Sequence, residues 1–553
     1  MRDLYKKYVT ETFDENGVLS NLEFNVPDNF NFGYDVIDVI GQNEPNRRAI
    51  VWVNPEGEEH IFTYGDLMRE SNRAANMLIA HGVKKGDIVM SVLKRHYQFW
   101  FLLIALCKIG AVIVPATNQL MKKDYTYRFN AADVSYIVAT GDGDTASHVE
   151  QALEEYDGIK EKFIVRGHGN KGWTNFDAEM AKYPDTLERI ENNTDDNMLL
   201  YFTSGTTGYP KMVMHNHYYS LAHIVTAKYW HNLDSESLHL TISESGWAKC
   251  MWGKMYGQFL CAASIFVYDF DRFHSSDILQ KIQDYKVTSF CAPPTMYRMF
   301  IKEGVGSFDL SNLKRTSIAG EALNPEVFNR WYELTGLKVM EGYGQTETVL
   351  AIGNICGMNP KPGSTGKPVP LFDTKIVDDD GNEVAYGVHG ELVLTPKTEK
   401  KIGIFKEYYK NPEETAYAWR GGVYHTGDLA YKDEDGYLCY VGRKDDVIKS
   451  SGYRIGPFEI ESVLMEHPAV LEVAVTGVSD PIRGQVVKAT IVLTKAYRDK
   501  GDEILVKELQ EHVKRQTAPY KYPRVIEFVD ELPKTISGKI RRVAIRERDN
   551  GTK

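Results

Sequence analysis

The strongest constraint on the fold is an alternation, beginning near Thr63, of amphipathic segments with short, wholly apolar runs. The stretch TYGDLMRESNRAANMLIAHG repeats its apolar residues at helical spacing, opens on a threonine that can accept from the first unpaired N–H groups, and closes at Gly82. DIVMSVL and AVIVPAT then read as buried strands, and the pattern recurs through VSYIVAT, KFIVRG, SIFVYD, VTSFCAP and KRTSIAGE with helical segments between. Such strands need cover on both faces, which predicts parallel sheets flanked by helices. After Gly363 the texture changes to alternating strands joined by Asp-Gly turns, as in TKIVDDDGNEV and GELVLT, and a small β-rich subdomain is expected.

With 553 residues the chain exceeds one typical core. A second change of pattern follows GYLCYVGRKDD, where strands, IGPFEIESVLMEHPAVLEVAVTGV, a helix near 504–516 and a basic tail replace the earlier rhythm. A boundary near Lys444 gives an N-terminal domain over 1–444 and a C-terminal domain over 445–553. No low-complexity linker marks it, so two defined orientations are expected rather than free tumbling.

A net charge of −11 argues against a polyanion partner such as nucleic acid. Cys107, Cys250, Cys261, Cys291, Cys356 and Cys439 are scattered without metal-ligand spacing and read as free thiols. The apolar run from Phe99 to Ala116, interrupted by Lys108, Gly110 and Pro115, reads as a buried helix turning into a strand rather than a membrane span. MRDLYKKYVTETFDENG carries no apolar leader, and a cytoplasmic enzyme is expected. The oligomeric state is left open.

Two motifs are rejected. Gly167 to Gly172 has dinucleotide-loop spacing, but Trp173, Thr174 and Asn175 follow where a helix should run, so a turn is expected. The acidic runs Asp378–Asp380 and Asp433–Asp435 end in glycine between strands and read as hairpin turns rather than calcium loops.

The segment Thr203-Ser204-Gly205-Thr206-Thr207-Gly208-Tyr209-Pro210-Lys211 follows the strand MLLYF. Hydroxyls interleaved with glycines let side chains and backbone N–H groups surround phosphate oxygens, and Lys211 adds a charge, although by itself such a loop is as often only a turn. Gly342-Tyr343-Gly344-Gln345-Thr346-Glu347 offers a flat aromatic ring for a base, a hydroxyl for a phosphate and a carboxylate for Mg²⁺. In Tyr424-His425-Thr426-Gly427-Asp428-Leu429 a carboxylate sits at a turn, suited to accept from ribose hydroxyls.

Together with Gly320-Glu321-Ala322, GRKDDVIKSSGYRIGP (Gly442 to Pro457) and Pro533-Lys534-Thr535-Ile536-Ser537-Gly538-Lys539, these motifs resemble the adenylate-forming superfamily across nearly the whole chain. That superfamily includes acyl-CoA synthetases, peptide-synthetase adenylation domains and beetle luciferases. The resemblance implies an α/β fold: a large N-terminal domain of two helix-covered sheets with a small β-rich subdomain, and a small mobile α+β C-terminal domain. It implies ATP contacts along 203–208, Lys211 and Glu341 to Gln345, with Tyr343 and Gly320 to Ala322 lining adenine. Thr346 would meet the α-phosphate, Glu347 the Mg²⁺, Asp428 and Arg443 the ribose. Asp445 would be the hinge and Lys539 the adenylation lysine.

A carboxylate attacking the α-phosphate of ATP meets repulsion, and a lysine reaching both partners lowers that barrier. Thioester formation needs a thiol where Lys539 stood, which the family achieves by rotating the small domain. Gly452 would then let pantetheine pass close to the backbone, beside Tyr453, with Arg454 bracing that orientation. NFGYDVID from Asn31 and ESGWAKCMWG from Glu244 resemble the medium-chain acyl-CoA synthetase branch, with coenzyme A as acceptor. Trp247, Lys249, Trp252, Cys291 and Gly344 are expected to line a pocket for a medium-chain, branched or aromatic acid. The alternatives are a stand-alone enzyme loading a carrier protein, a luciferase-like oxygenase and a nonenzymatic nucleotide-binding module.

Overall fold

A computed structural model describes the chain except for residues 1, 168–169, 204–209, 451–452, 482, 499–500, 535–538, 550 and 552–553. Two large mixed sheets form the frame. One has eight strands, in the order Glu407–Tyr408, Lys211–Asn216, Asn197–Thr203, Val112–Pro115, Ile88–Val92, Tyr136–Thr140, Glu161–Val165, Thr174–Asn175. The other has nine, in the order Lys367–Pro368, Ile352–Gly353, Val339–Tyr343, Arg315–Ala319, Ser289–Cys291, Leu238–Thr241, Ser264–Tyr268, Arg48–Val53, Glu59–Thr63. The interiors of both are parallel, as the apolar runs require; the edge strands pair antiparallel except Thr174–Asn175, which pairs parallel with Glu161–Val165. The helix Tyr64–Ala80 starts at Thr63 in a capping box with Asp66, and the helix Gln98–Ile109 is buried on all sides.

A four-stranded antiparallel sheet, Phe372–Val377, Gly390–Pro396, Tyr424–Lys432 and Leu438–Arg443, is the β-rich subdomain. Its acidic runs close turns: Asp378 Oδ1 accepts the Asp380 and Asn382 N–H groups, and Asp433 Oδ1 accepts that of Tyr437. The connection from Gly167 leads into the short strand Thr174–Asn175, although His168 and Gly169 lie outside the described residues. A hairpin of Val9–Phe13 with Leu19–Phe24 was not anticipated, because its polar residues mask its alternation. No helix among the described residues is long and apolar enough to cross a membrane.

The C-terminal part packs the helices Pro457–Met465, Glu503–Gln516 and Arg542–Asp549 on a sheet of Tyr453–Ile455, Ile448–Ser450, Gly484–Leu493 and Val470–Asp480, with Val525–Phe528 added parallel to Gly484–Leu493. The anchoring changes sides within three consecutive residues. Lys444 Nζ pairs with Glu391 at 3.1 Å and Asp379 at 3.2 Å, both in the β-rich subdomain. Asp446 pairs with Arg546 and, at 3.8 Å, with Arg542, both in the last helix. Arg542 in turn grips Glu461.

The two large sheets touch where the segment after Leu238–Thr241 crosses the end of Val112–Pro115. There Ser245 N–H donates to Lys94 O at 2.9 Å, and Thr117 Oγ1 donates to Glu244 Oε2 at 3.3 Å. A Cβ at Gly246 would lie 2.4 Å from Thr117 N and 2.5 Å from Ala116 C, both backbone atoms with no freedom to retreat. Gly246→Ala is therefore expected to cost about 1–3 kcal/mol of stability and to raise KM for the acid, measured by denaturant unfolding and steady-state kinetics. An unchanged KM would sever this contact from the binding site.

Candidate active site

Leu238–Thr241, Ser289–Cys291, Arg315–Ala319 and Val339–Tyr343 are neighbours in one sheet and run in the same direction, so the segments following them emerge side by side. Crevices beyond the carboxyl ends of parallel strands are where such sheets bind ligands. Here that edge presents Glu244 to Trp247, Cys291, the turn Gly320 to Ala322, and Gly344 to Glu347 together. Gly320 adopts φ +104°, a conformation that glycine takes without strain.

Asp428 reaches the same place from the β-rich subdomain. Tyr343 Oη donates to its Oδ2 at 2.5 Å and Gln345 Nε2 to the same oxygen at 2.6 Å, while Arg443 Nη1 stands 3.4 Å from Oδ1. Tyr424 Oη orients Gln345 by donating to its Oε1 at 2.7 Å. Burial raises the Asp428 pKa, opposed by the Arg443 charge and the two hydrogen bonds. Tyr343, Gln345, Asp428 and Arg443, drawn from three separate motifs, thus form one polar knot.

Glu347 accepts from Tyr408 Oη at 2.8 Å, and burial raises its pKa. Lys211 pairs with Glu414 and lies 5.0 Å from the Tyr408 ring, so its charge acts on Glu347 from one layer away. Of the phosphate-loop residues, Thr203 ends one strand opposite Lys211 at the start of the next; Ser204, Gly205, Thr206, Thr207 and Gly208 lie outside the described residues. Thr346 is held by a residue that sequence reasoning missed. His215 Nε2 donates to Thr346 O at 2.8 Å, and burial lowers the His215 pKa to about 4, so the imidazole is a neutral donor. Its place in MVMHNH, on the strand leaving the phosphate loop, was the available signal.

On the acyl side, Trp252 packs against Gly344 so closely that a Cβ there would lie 2.4 Å from its Cη2. Of the other residues expected to line an acyl pocket, Cys291 is buried and Trp247 half-buried. Lys249 Nζ donates to Ala319 O at 2.8 Å, and burial lowers its pKa. Its ammonium is thereby tied to the end of the strand Arg315–Ala319. Lys539 belongs to the C-terminal part, yet its Cε lies 3.9 Å from where a Gly320 Cβ would be. Its charge acts on both Lys249 and Asp428. Tyr453 is exposed and stacks on Tyr520 with centroids 4.0 Å apart; Arg454 shares its strand, and Gly452 lies outside the described residues.

Glu341, expected among the nucleotide contacts, has a buried carboxyl with two protein donors. Leu323 N–H donates to Oε2 and Thr365 Oγ1 to Oε1, each at 3.3 Å.

A family model described as "AMP-binding enzyme" matches residues 38–409, and one described as "AMP-binding enzyme C-terminal domain" matches 459–539. The protein named acyl-coenzyme A synthetase ACSM3, mitochondrial, of Mus musculus is 41% identical over 99% of this chain and 96% of its own length. That named acyl-coenzyme A synthetase ACSM4, mitochondrial, of the same species is 40% identical over 98% and 94%. Among solved structures, the anthranilate CoA ligase AuaEII in complex with anthranoyl-AMP superimposes with TM-score 0.85 at 28% identity, covering 95% of this chain and 98% of that one. A benzoate CoA ligase from Burkholderia xenovorans LB400 gives 0.82 at 26%, covering 94% and 100%. The chain belongs to the AMP-binding enzymes, within which it is an AMP-forming acid–CoA ligase: it joins a carboxylic acid to coenzyme A by way of an acyl adenylate.

The same relatives correct one expectation. They are named as mitochondrial, which overturns the cytoplasmic location read from the charged N-terminal segment. Free thiols suit either compartment.

Burial pushes the Glu341 pKa up to about 8, so the carboxyl carries a proton where most carboxylates are charged. With its folded pKa above the unfolded one, its contribution to stability is complete below the usual carboxylate range and is lost as pH rises towards about 8. Glu341→Gln, neutral at every pH, is expected to lose less melting temperature than the parent between roughly pH 5 and pH 8. Parallel curves would mean that the buried carboxyl does not titrate this way.

Proposed function

We propose that Lys539 is the catalytic lysine of adenylate formation, that Thr346 and the loop from Thr203 to Gly208 hold phosphate, and that Tyr343 with Gly320 to Ala322 takes the adenine. Asp428 and Arg443 take the ribose, and the acid enters between Trp252, Trp247, Cys291 and Gly344. The observation that carries this reading is the position of Lys539 over Gly320, on the edge that also presents Tyr343 and Thr346.

The substrate carboxylate oxygen forms a bond to the α-phosphorus as the bond to pyrophosphate breaks. Negative charge meets negative charge, and a cation aimed at both oxygens stabilises the transition state more than the separated reactants. Lys539 supplies that cation beside Lys249. Glu347 suits Mg²⁺: a carboxylate whose ionisation is opposed by burial gains from a neighbouring cation, and the ion would neutralise phosphate charge. In the second step the coenzyme A sulfur bonds to the acyl carbon and AMP departs with the electrons of the broken anhydride bond. For this the C-terminal part turns about Asp445, the residue between the anchors Lys444 and Asp446, and brings Gly452, Tyr453 and Arg454 to the site.

The close packing of Trp252 on Gly344 supports a medium-chain, branched or aromatic acid, and solved structures similar to this chain are named as anthranilate and benzoate CoA ligases. Mass spectrometry of products from ATP, Mg²⁺, coenzyme A and a panel of acids tests this; a preference for long unbranched chains would refute it. Lys539→Ala is expected to slow adenylate formation by about 10²–10³-fold while sparing thioester formation from synthetic acyl-AMP, and equal loss in both half-reactions would remove its assignment. Asp445→Pro should do the reverse, impairing the thiol step alone. If neither half-reaction changes, the pivot lies elsewhere.

A further inference from the structure

Asn324 follows the adenine-side turn directly, and both ends of its amide are occupied. Its Oδ1 accepts the Glu326 N–H at 2.7 Å and caps the helix Pro325–Thr335. Its Nδ2 donates at 3.0 Å to the carbonyl oxygen of Ser462, in the last turn of the helix Pro457–Met465 across the interface. The last four carbonyls of a helix have no partner within it. At this helix end Val463 O and Leu464 O accept from Glu466 N–H, and the Ser462 carbonyl is met from the other domain. One buried side chain therefore starts a helix in one domain and finishes a helix in the other.

The segments on either side are firmly held. Leu323 N–H is fixed by Glu341, and the helix Pro457–Met465 is tied by Glu461 to Arg542, which also reaches Asp446. A movement of the C-terminal part about its pivot must pull Ser462 off Asn324.

We infer that Asn324 is a positioning residue that latches the orientation in which Lys539 stands over Gly320 and that releases for the thiol step. This rests on the two-orientation reading proposed above. Asn324→Ser keeps an oxygen suited to capping and removes the donor. In single-turnover assays on the full-length enzyme it is expected to slow adenylate formation by about threefold to tenfold, the worth of one neutral hydrogen bond, and to leave thioester formation from synthetic acyl-AMP unchanged or faster. Asn324→Asp, which keeps a strong cap, carries the same expectation as Asn324→Ser should the latter fail to fold. Equal change in both half-reactions, or no change in either, with the parent competent in both, overturns the latch; a parent that catalyses neither overturns instead the reading on which it rests.

Discussion

Everything at the active edge depends on four parallel strands ending together. Parallel neighbours cannot be joined by tight turns, so each strand is followed by its own excursion, and the starts of those excursions share one rim. The strands supply rigidity and very few reacting groups. Chemistry is borne by residues one to five positions beyond each end, where the backbone is freed from the ladder yet still fixed by it. This explains why Tyr343, the last residue of a strand, can hold a carboxylate from a different subdomain at 2.5 Å.

A second constraint is the cost of burying acids. Asp428, Glu347 and Glu341 all have pKa values raised by burial, and they meet that cost differently. Asp428 has two neutral donors and an arginine. Glu347 has a tyrosine at 2.8 Å and a lysine one layer off. Glu341 keeps a proton and serves as a neutral strut. Three chemically identical groups thus take three roles according to what surrounds them.

Much of this was legible in the sequence, for reasons that differ from part to part. The apolar runs revealed the strands because burial on both faces leaves no room for polar residues, and the motifs named the residues of the polar knot because they stand in short contiguous blocks. Local pattern carries no information about partners far along the chain. His215 and Thr346 are separated by 131 positions, and Tyr408 and Glu347 by 61, so neither support was visible. Glu341 shows the same limit, since its carboxyl takes partners from Leu323 and from Thr365, which local pattern could not name. The cellular compartment was misread because it is not a property of the folded core at all.

The change of anchorage between Lys444 and Asp446 has a geometric corollary. Asp445 between them leans to the N-terminal side, its carboxylate 3.6 Å from Arg443, and the Asp446 N–H donates to Arg443 O. On the proposed pivot, a turn of the C-terminal part would have to release these local contacts, and the allowed backbone torsions of a few residues would restrict the routes between the orientations. A labelled pair spanning the junction would sample that same path.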